Sequence, residues 1–299
     1  MIVYTAQDFN LDLPPGHRFP GQKYRLLEEK LVRDGTLSRE HLRISPLATD
    51  EQLLSVHTEG YLRSLEDGSI DPRAMRRIGF PWSKQIPRRG RRTVGGALAA
   101  AHQALRTGLS GQLAGGTHHS HPDFGSGYCI FNDLAIVATI LLTEEWVDRI
   151  AIIDLDVHQG DGNAAVLTPN PDCLILDVFG EKNFPFRKVP SDIDVPLPDG
   201  TEDDAFLRAI DERLPEVWAF KPDLVLYQAG VDPLAEDKLG RLNISFEGMR
   251  RRDELVLGGC HSRGIPCSMA IGGGYSDPIE HTVMAYAGTY EVARDVYGW

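Results

Sequence analysis

The chain has 299 residues, 42% of them hydrophobic, and a formal net charge of −12. That is enough apolar chain to bury a sizeable core, and the acidic balance argues against general nucleic-acid binding while mildly favouring a cationic substrate. No apolar stretch approaches the roughly 20 residues a membrane span needs, no signal peptide is visible, and the scattered Cys129, Cys173, Cys260 and Cys267 suggest neither a disulfide framework nor a thiolate zinc site. A cytoplasmic location is expected, as is one domain over 1–299, because no low-complexity linker divides the chain.

In chain order, an apolar opening at 2–4 predicts a strand, and helical patterns follow around 24–33 and 51–65. The rest of the first 90 residues is polar and contains prolines, and reads as loop and rim. A basic run of Arg76, Arg77, Lys84, Arg88, Arg89, Arg91 and Arg92 reads as solvated surface rather than a partner site. A helix near 93–108, a short strand before Gly115-Gly116 and a helix near 131–146 come next. From about Asp148 onward, short β-branched runs alternate with amphipathic stretches, the pattern of βαβ units. The strands are placed at 150–153, 173–176, 224–227 and 267–271, nearly continuous apolar runs as expected where helices cover both faces. Helices are placed near 203–219, 247–263 and 279–295, with Thr201 and Asp204 read as a capping box for the first of these. The fold class expected is α/β, an open and mainly parallel sheet flanked by helices.

Four polar segments end hydrophobic runs. They are His118-His119, Asp154-Leu155-Asp156-Val157-His158, Asp232, and Gly272-Gly273-Gly274-Tyr275. Ligands of open parallel sheets bind beyond the carboxyl ends of the strands, so these segments would meet on one edge. Asp154, Asp156 and His158 share a direction if the extended geometry persists, although alone they fit a solvated strand end about as well. Asp232 tips that balance, because one histidine with two carboxylates leaves a fourth position for water, as in a catalytic metal site. Such oxygen-rich ligation suits Zn²⁺ or Fe²⁺ and does not choose between them. His118 and His119 could be further ligands or acid/base groups. Asp154 and Asp161 are available to orient them, which favours proton transfer. Tyr275, after three glycines that allow close backbone approach, could donate its hydroxyl to a developing oxyanion or simply be packed on a glycine-rich turn.

Five segments, in this order, resemble the signature set of the zinc-dependent histone deacetylase superfamily. They are Gly115-Gly-Thr-His-His119, Gly127-Tyr-Cys-Ile-Phe-Asn-Asp133, Asp154-Leu-Asp-Val-His-Gln-Gly-Asp-Gly162, Gln228-Ala-Gly-Val-Asp232 and Gly272-Gly-Gly-Tyr275. The likeness runs from Arg18-Phe-Pro-Gly-Gln-Lys-Tyr24 to the carboxyl-terminal helix. Within the superfamily the chain is most similar to class IV deacetylases and their bacterial relatives, on Leu176-Asp-Val178, Gly200-Thr-Glu-Asp-Asp204, Asp237-Lys-Leu-Gly-Arg-Leu242 and Arg252-Asp-Glu-Leu-Val256.

The resemblance implies the arginase/deacetylase fold and hydrolysis of acetyl or longer acyl groups from lysine in proteins or peptides. It implies Asp156, His158 and Asp232 as ligands of a catalytic Zn²⁺, with Fe²⁺ as the alternative. His119, oriented by Asp161, would be the general base that later protonates the leaving amine; His118, paired with Asp154, would be mainly electrostatic or share the proton load. Tyr275 would stabilise the oxyanion, and Gly127, Tyr128, Phe184 and Leu239 would line an acyl-lysine tunnel. A structural K⁺ is implied near Asp154, Asp156, His158 and Asp177, the last standing where the family often has serine. Neither a nucleic acid nor a membrane is implied as partner, and the oligomeric state is left open.

Some positions depart from the familiar pattern. His121 has no evident role beyond the rim, Gln159 stands where many relatives have histidine, and Asp71 is a poor match for the rim aspartate that grips substrate backbone. The same constellation would serve an amidohydrolase of small acetylated amines such as acetylpolyamines, although the long insertion of that branch is not evident. A non-catalytic acyl-binding module is a third reading, weakened because every catalytic position is filled. A binuclear ureohydrolase would need bridging aspartates that the chain does not show.

Overall fold

Ile150–Asp154 and Leu224–Gln228 are buried along their whole length, so each needs covering on both faces. The computed structural model, which describes residues 1–6, 11 and 13–299, meets that need with one sheet between two helical layers. Its strands are β1 (Ile2–Thr5), β2 (Leu42–Ile44), β3 (Leu109–Gln112), β4 (Ile150–Asp154), β5 (Cys173–Gly180), β6 (Ile193–Leu197), β7 (Leu224–Gln228) and β8 (Cys267–Ala270). They lie in the order β2-β1-β3-β8-β7-β4-β5-β6, and all their pairings are parallel.

Side chains alternate across each strand, and β4 divides accordingly. Ala151 and Ile153 join a core built with helices Lys23–Arg33, Asp203–Asp211, Leu214–Phe220, Phe246–Arg263 and Ile279–Tyr297. Ile150 and Ile152 join the opposite core, built mainly with helices Glu59–Asp67, Gln85–Thr107 and Asp133–Thr143. The register of β4 sets Asp154 opposite Asp177 on β5 and Gln228 on β7, which brings the polar strand ends to one edge.

Several expectations need correction. The stretch 203–219 forms two helices rather than one, with Pro215 in the first turn of the second. Proline has no N–H to give and its ring crowds the carbonyl four residues back, so the first helix stops at Asp211. Thr201 is not its cap: Glu202 holds that position, Thr201 donates to the Pro198 carbonyl, and Asp203 accepts from Ser245. The pattern around 51–65 is likewise two helices, Asp50–Leu54 and Glu59–Asp67, the second capped by Thr58. Inside the supposed loop region, Pro72–Ile78 is helical, with Asp71 capping the Arg73 N–H and Pro72 in the first turn. Short edge strands β2 and β6 and the helix Asp161–Leu167 were not expected.

The basic run is only partly solvated. Arg76, Arg77, Lys84 and Arg88 are exposed, but the helix starts at Gln85 and turns the later arginines inward. Arg89 is buried with its guanidinium 4.4 Å from the Tyr24 ring centroid, Arg91 pairs with Asp50 and Glu66, and Arg92 donates to the Ser45 carbonyl.

A fully buried ion pair braces the site from behind. Arg252 bonds Asp253 through Nε at 3.0 Å and Nη2 at 2.8 Å and donates through Nη1 to the Gly230 carbonyl, two residues before Asp232. Asp253 also accepts from Tyr227 at 2.5 Å and Thr289 at 2.7 Å. Removing one member of such a pair strands the other charge. Arg252→Met is therefore expected to cost about 3 to 5 kcal/mol of unfolding free energy in urea titrations at neutral pH, and a loss below about 1 kcal/mol would contradict this account.

Candidate active site

The loop after β3 carries His118 and His119, and Asp133 fixes its path. The Asp133 carboxylate, at the first position of helix Asp133–Thr143, accepts from the Gly116 N–H at 2.9 Å, the Thr117 N–H at 2.7 Å and the Thr117 hydroxyl at 2.8 Å. His118 Nδ1 then lies 2.8 Å from Asp154 Oδ2, and His119 Nδ1 lies 2.7 Å from Asp161 Oδ1. The two rings are 4.1 Å apart between centroids. Each carboxylate engages Nδ1 and thereby leaves Nε2 for chemistry.

Their environments separate them electrostatically. Burial opposes a charge on His118, but Asp154 and Asp156 overcome it and push its pKa up to about 10. Burial and the neighbouring His118 charge push His119 down to about 4, against the pull of Asp161. Charges from other segments thus push two adjacent rings in opposite directions.

Beyond β4 and β7, one donor atom each of Asp156, His158 and Asp232 lies within 4.8 Å of the others, and all three residues are buried. His158 Nδ1 is 3.1 Å from Asp156 Oδ1 and 2.9 Å from Asp232 Oδ2. Asp156 Oδ2 accepts the Gly273 N–H at 2.7 Å, and Asp232 Oδ1 accepts the Val157 N–H at 2.9 Å. This approach requires glycine: a Cβ on Gly273 would stand 2.0 Å from Asp232 Oδ2. Burial and the Asp156 charge raise Asp232 to about 7, while His158, despite burial, is pushed up to about 10 by Asp232 and Asp156. Two buried carboxylates and an imidazole converging on one point fit a divalent cation in place of the His158 proton.

Asp177 faces Asp154 across the β4–β5 ladder. Its Oδ2 accepts the Gly160 N–H at 2.8 Å, and its buried Oδ1 has no hydrogen-bond partner. Burial and the Asp154 charge raise its pKa well above the usual carboxylate range. An unsatisfied buried carboxylate oxygen in this setting suits a second cation.

A cavity of about 300 Å³ opens onto these groups. Gly127, Tyr128, Phe184, Leu239 and Tyr275 all line it together with His118, His119, Asp156 and His158. Phe184 stands edge-on to His119 at 4.9 Å, and Tyr128 lies 5.9 Å from Tyr275. Gly127 has φ +53°, and a Cβ there would meet the His119 ring at 2.6 Å. The Tyr275 N–H donates to Asp237 Oδ2 at 2.5 Å; burial and the charges of Asp232 and Asp156 raise its phenol well above the ordinary value, keeping it a neutral donor.

Every expected site residue therefore reaches this edge, and several supports come from residues whose part was not foreseen. Asp237 also accepts the Leu239 N–H at 2.8 Å, so one carboxylate orients two walls of the cavity. Its place within Asp237-Lys-Leu-Gly-Arg-Leu242 was the available signal. Gln159 exchanges bonds with Val189 and reaches Asp194, tying down the segment that carries Phe184. Lys23 is buried, donating to the Gly274 carbonyl at 3.2 Å and the Tyr286 hydroxyl at 3.1 Å, with its ammonium 4.9 Å from the Tyr275 ring centroid. Asp71 is an exposed helix cap. His121 shares Asp161 with His119.

Comparison with known proteins finds relatives in sequence and in fold. The histone deacetylase domain matches residues 17–289. An uncharacterised protein of Picosynechococcus sp. is 41% identical over 99% of both chains. Histone deacetylase 2 of Arabidopsis thaliana is 34% identical over 87% of this chain and 70% of its own length. Among solved structures, acetylpolyamine aminohydrolase from Burkholderia pseudomallei superposes with a TM-score of 0.82 at 20% identity, covering 99% of both chains, and shares the fold.

A metal ion entering this site must displace the His158 proton. Zn²⁺ added to metal-free protein near pH 7 is expected to release between about one and two protons per ion, from His158 and from the Asp232 that is still protonated, and to bind more weakly as pH falls, measurable by calorimetry in buffers of different ionisation enthalpy. At about a hundredfold excess over its Kd, the ion should stabilise the fold by about 2.7 kcal/mol. Undiminished affinity in Asp232→Asn and His158→Ala would place the metal elsewhere.

Proposed function

The chain belongs to the histone deacetylase family, and from that membership we propose that it hydrolyses acyl groups, acetyl or longer, from the ε-amino group of lysine in proteins or peptides. The observation that carries this is the meeting of His118, His119 and Tyr275 with Asp156 and His158 in the lining of one cavity, with Asp232 beside the latter two. The whole chain, 1–299, would act as one catalytic domain of the class IV type in the cytoplasm. No helix among the described residues is long and apolar enough to cross a membrane.

Asp156, His158 and Asp232 would hold Zn²⁺ or Fe²⁺. Such an ion supplies Lewis acidity, polarising an acyl carbonyl and bringing the pKa of water from about 15.7 toward about 7. His119 is neutral and has its Nδ1 on Asp161, so its Nε2 takes a proton from the attacking water and returns it to the leaving amine. His118, hydrogen-bonded to Asp154, acts mainly through its electrostatic field or shares the proton load. Tyr275 donates its hydroxyl to that oxyanion. Gly127, Tyr128, Phe184 and Leu239 enclose the aliphatic stem of the acyl-lysine and exclude water. Asp154, Asp156, His158 and Asp177 would surround a structural K⁺, which satisfies the free Asp177 oxygen.

An acetylpolyamine would use the same chemistry, but the cavity lining argues for lysine. Among the described residues, its charged side chains besides the histidines are Lys23, Arg89, Lys182 and Arg241, against the carboxylate of Asp156. The remaining ammonium groups of a polyamine would meet no carboxylate besides Asp156 among the described lining residues. The acidic net charge of the chain thus does not extend to the described lining residues.

Acetyl-lysine peptides, long-chain acyl-lysine peptides and acetylpolyamines, assayed with Zn²⁺- and Fe²⁺-loaded protein, should rank an acyl-lysine first. Indifference to every acyl-lysine would sink the proposal. Tyr275→Phe is expected to lower turnover by about 10² to 10³ with metal content unchanged, and near wild-type activity would remove Tyr275 from the oxyanion role.

A further inference from the structure

Asp161 serves two imidazoles. Its Oδ1 lies 2.7 Å from His119 Nδ1, and its Oδ2 lies 3.0 Å from His121 Nε2. The hydrogen bonds from His119 and His121 outweigh burial and hold the carboxyl well below the usual carboxylate range. A carboxylate turns easily about its last side-chain torsion, whose energy wells are broad and roughly two-fold. With a donor on one oxygen only, Asp161 could swing out of line with His119. A second donor on the other oxygen removes that freedom.

His121 is itself held for the task. Its ring stacks on Phe124 at 4.3 Å and 18°, and the Arg77 guanidinium lies 4.3 Å from the Phe124 ring centroid. The His121 N–H donates to the Phe124 carbonyl at 2.8 Å. The His121 carbonyl faces His57 Nδ1 at 3.1 Å, while His57 Nε2 accepts the Asn132 N–H at 3.0 Å. Because Nε2 is the acceptor, Nδ1 is the protonated nitrogen and donates to His121. Burial pushes His57 down to about 4 and keeps it in that neutral form.

We propose that His121 is a positioning residue: by bonding Asp161 Oδ2 it locks the carboxylate so that Oδ1 always meets His119 Nδ1, which keeps His119 Nε2 aimed at the reacting atoms. This rests on His119 acting as the base. Asp161 then orders three histidines' worth of structure, His119 directly and His57 through His121.

His121→Phe retains a flat ring for Phe124 but offers Asp161 no donor, whereas His121→Gln restores an N–H of similar reach. The phenylalanine variant should lose about tenfold in kcat with KM within about twofold, and the glutamine variant should recover most of it. The low-field proton signal of the His119 Nδ1–H should persist in wild type and His121→Gln and be lost or shifted in His121→Phe. Unchanged kcat and signal in His121→Phe would overturn the proposal, as would equal impairment of both variants, which would mark a packing role. If His121→Phe does not fold, His121→Asn, too short to reach Asp161, replaces it. If wild-type protein hydrolyses no acyl substrate, the functional proposal fails, and the proton signal alone decides the role of His121.

Discussion

The constraint on which the rest of the structure depends is the burial of four carboxylates, Asp154, Asp156, Asp177 and Asp232, at adjoining strand ends. Taking an ionised group out of water costs several kcal/mol even after relaxation, and these four also repel one another. The fold answers with donors: the N–H groups of Asp156, His158, Gly160 and Gly273 and the rings of His118 and His158. The answer is incomplete without cations, as the free oxygen of Asp177 and the raised pKa of Asp232 attest. A site built this way is primed to take up positive charge and to hold it in a low-dielectric pocket, where it acts most strongly on a carbonyl.

Most of the supporting structure serves to keep small groups still. Glycines let backbones approach where any side chain would collide, as Gly273 does beside Asp232. Carboxylates outside the Asp156, His158 and Asp232 cluster orient loops: Asp133 sets the path into His118, Asp237 fixes both Tyr275 and Leu239, and Asp161 joins His119 to His121. Arg252 and Asp253, wholly buried, brace the turn between β7 and Asp232. Such partners hold the histidines and Tyr275 in fixed positions, and the proposed chemistry requires placement to within fractions of an ångström.

The elements that were legible in the sequence are those whose residues report their own surroundings. The central strands are apolar on both faces because both faces are covered, and the long helices carry apolar positions at helical spacing. What escaped were β2 and β6, short edge strands whose exposed positions carry little pattern, and the break between Asp211 and Leu214, where overall amphipathicity masked the local effect of Pro215. The basic run misled for a related reason, since charge alone does not tell which side of a helix faces the core. Thr201 misled because Asp203, beside the expected cap, is engaged by Ser245 from a distant segment.

The sequence by itself determined the chemistry on offer: the donor set Asp156, His158 and Asp232, the tandem histidines and Tyr275, each placed after a strand and so on one edge of the sheet. Their mutual roles were decided only by tertiary structure. A pKa depends on burial and on charges from other segments, so nothing local to His118-His119 says that one ring is pushed up to about 10 and the other down to about 4. The acidic composition likewise gave no hint of a cavity lined by Lys23, Arg89, Lys182 and Arg241, because net charge is a sum over the chain and a site feels only its near neighbours. His121 belongs to the same lesson: its hydrogen bond to Asp161 spans 40 positions of chain, and only the folded loop brings the two together.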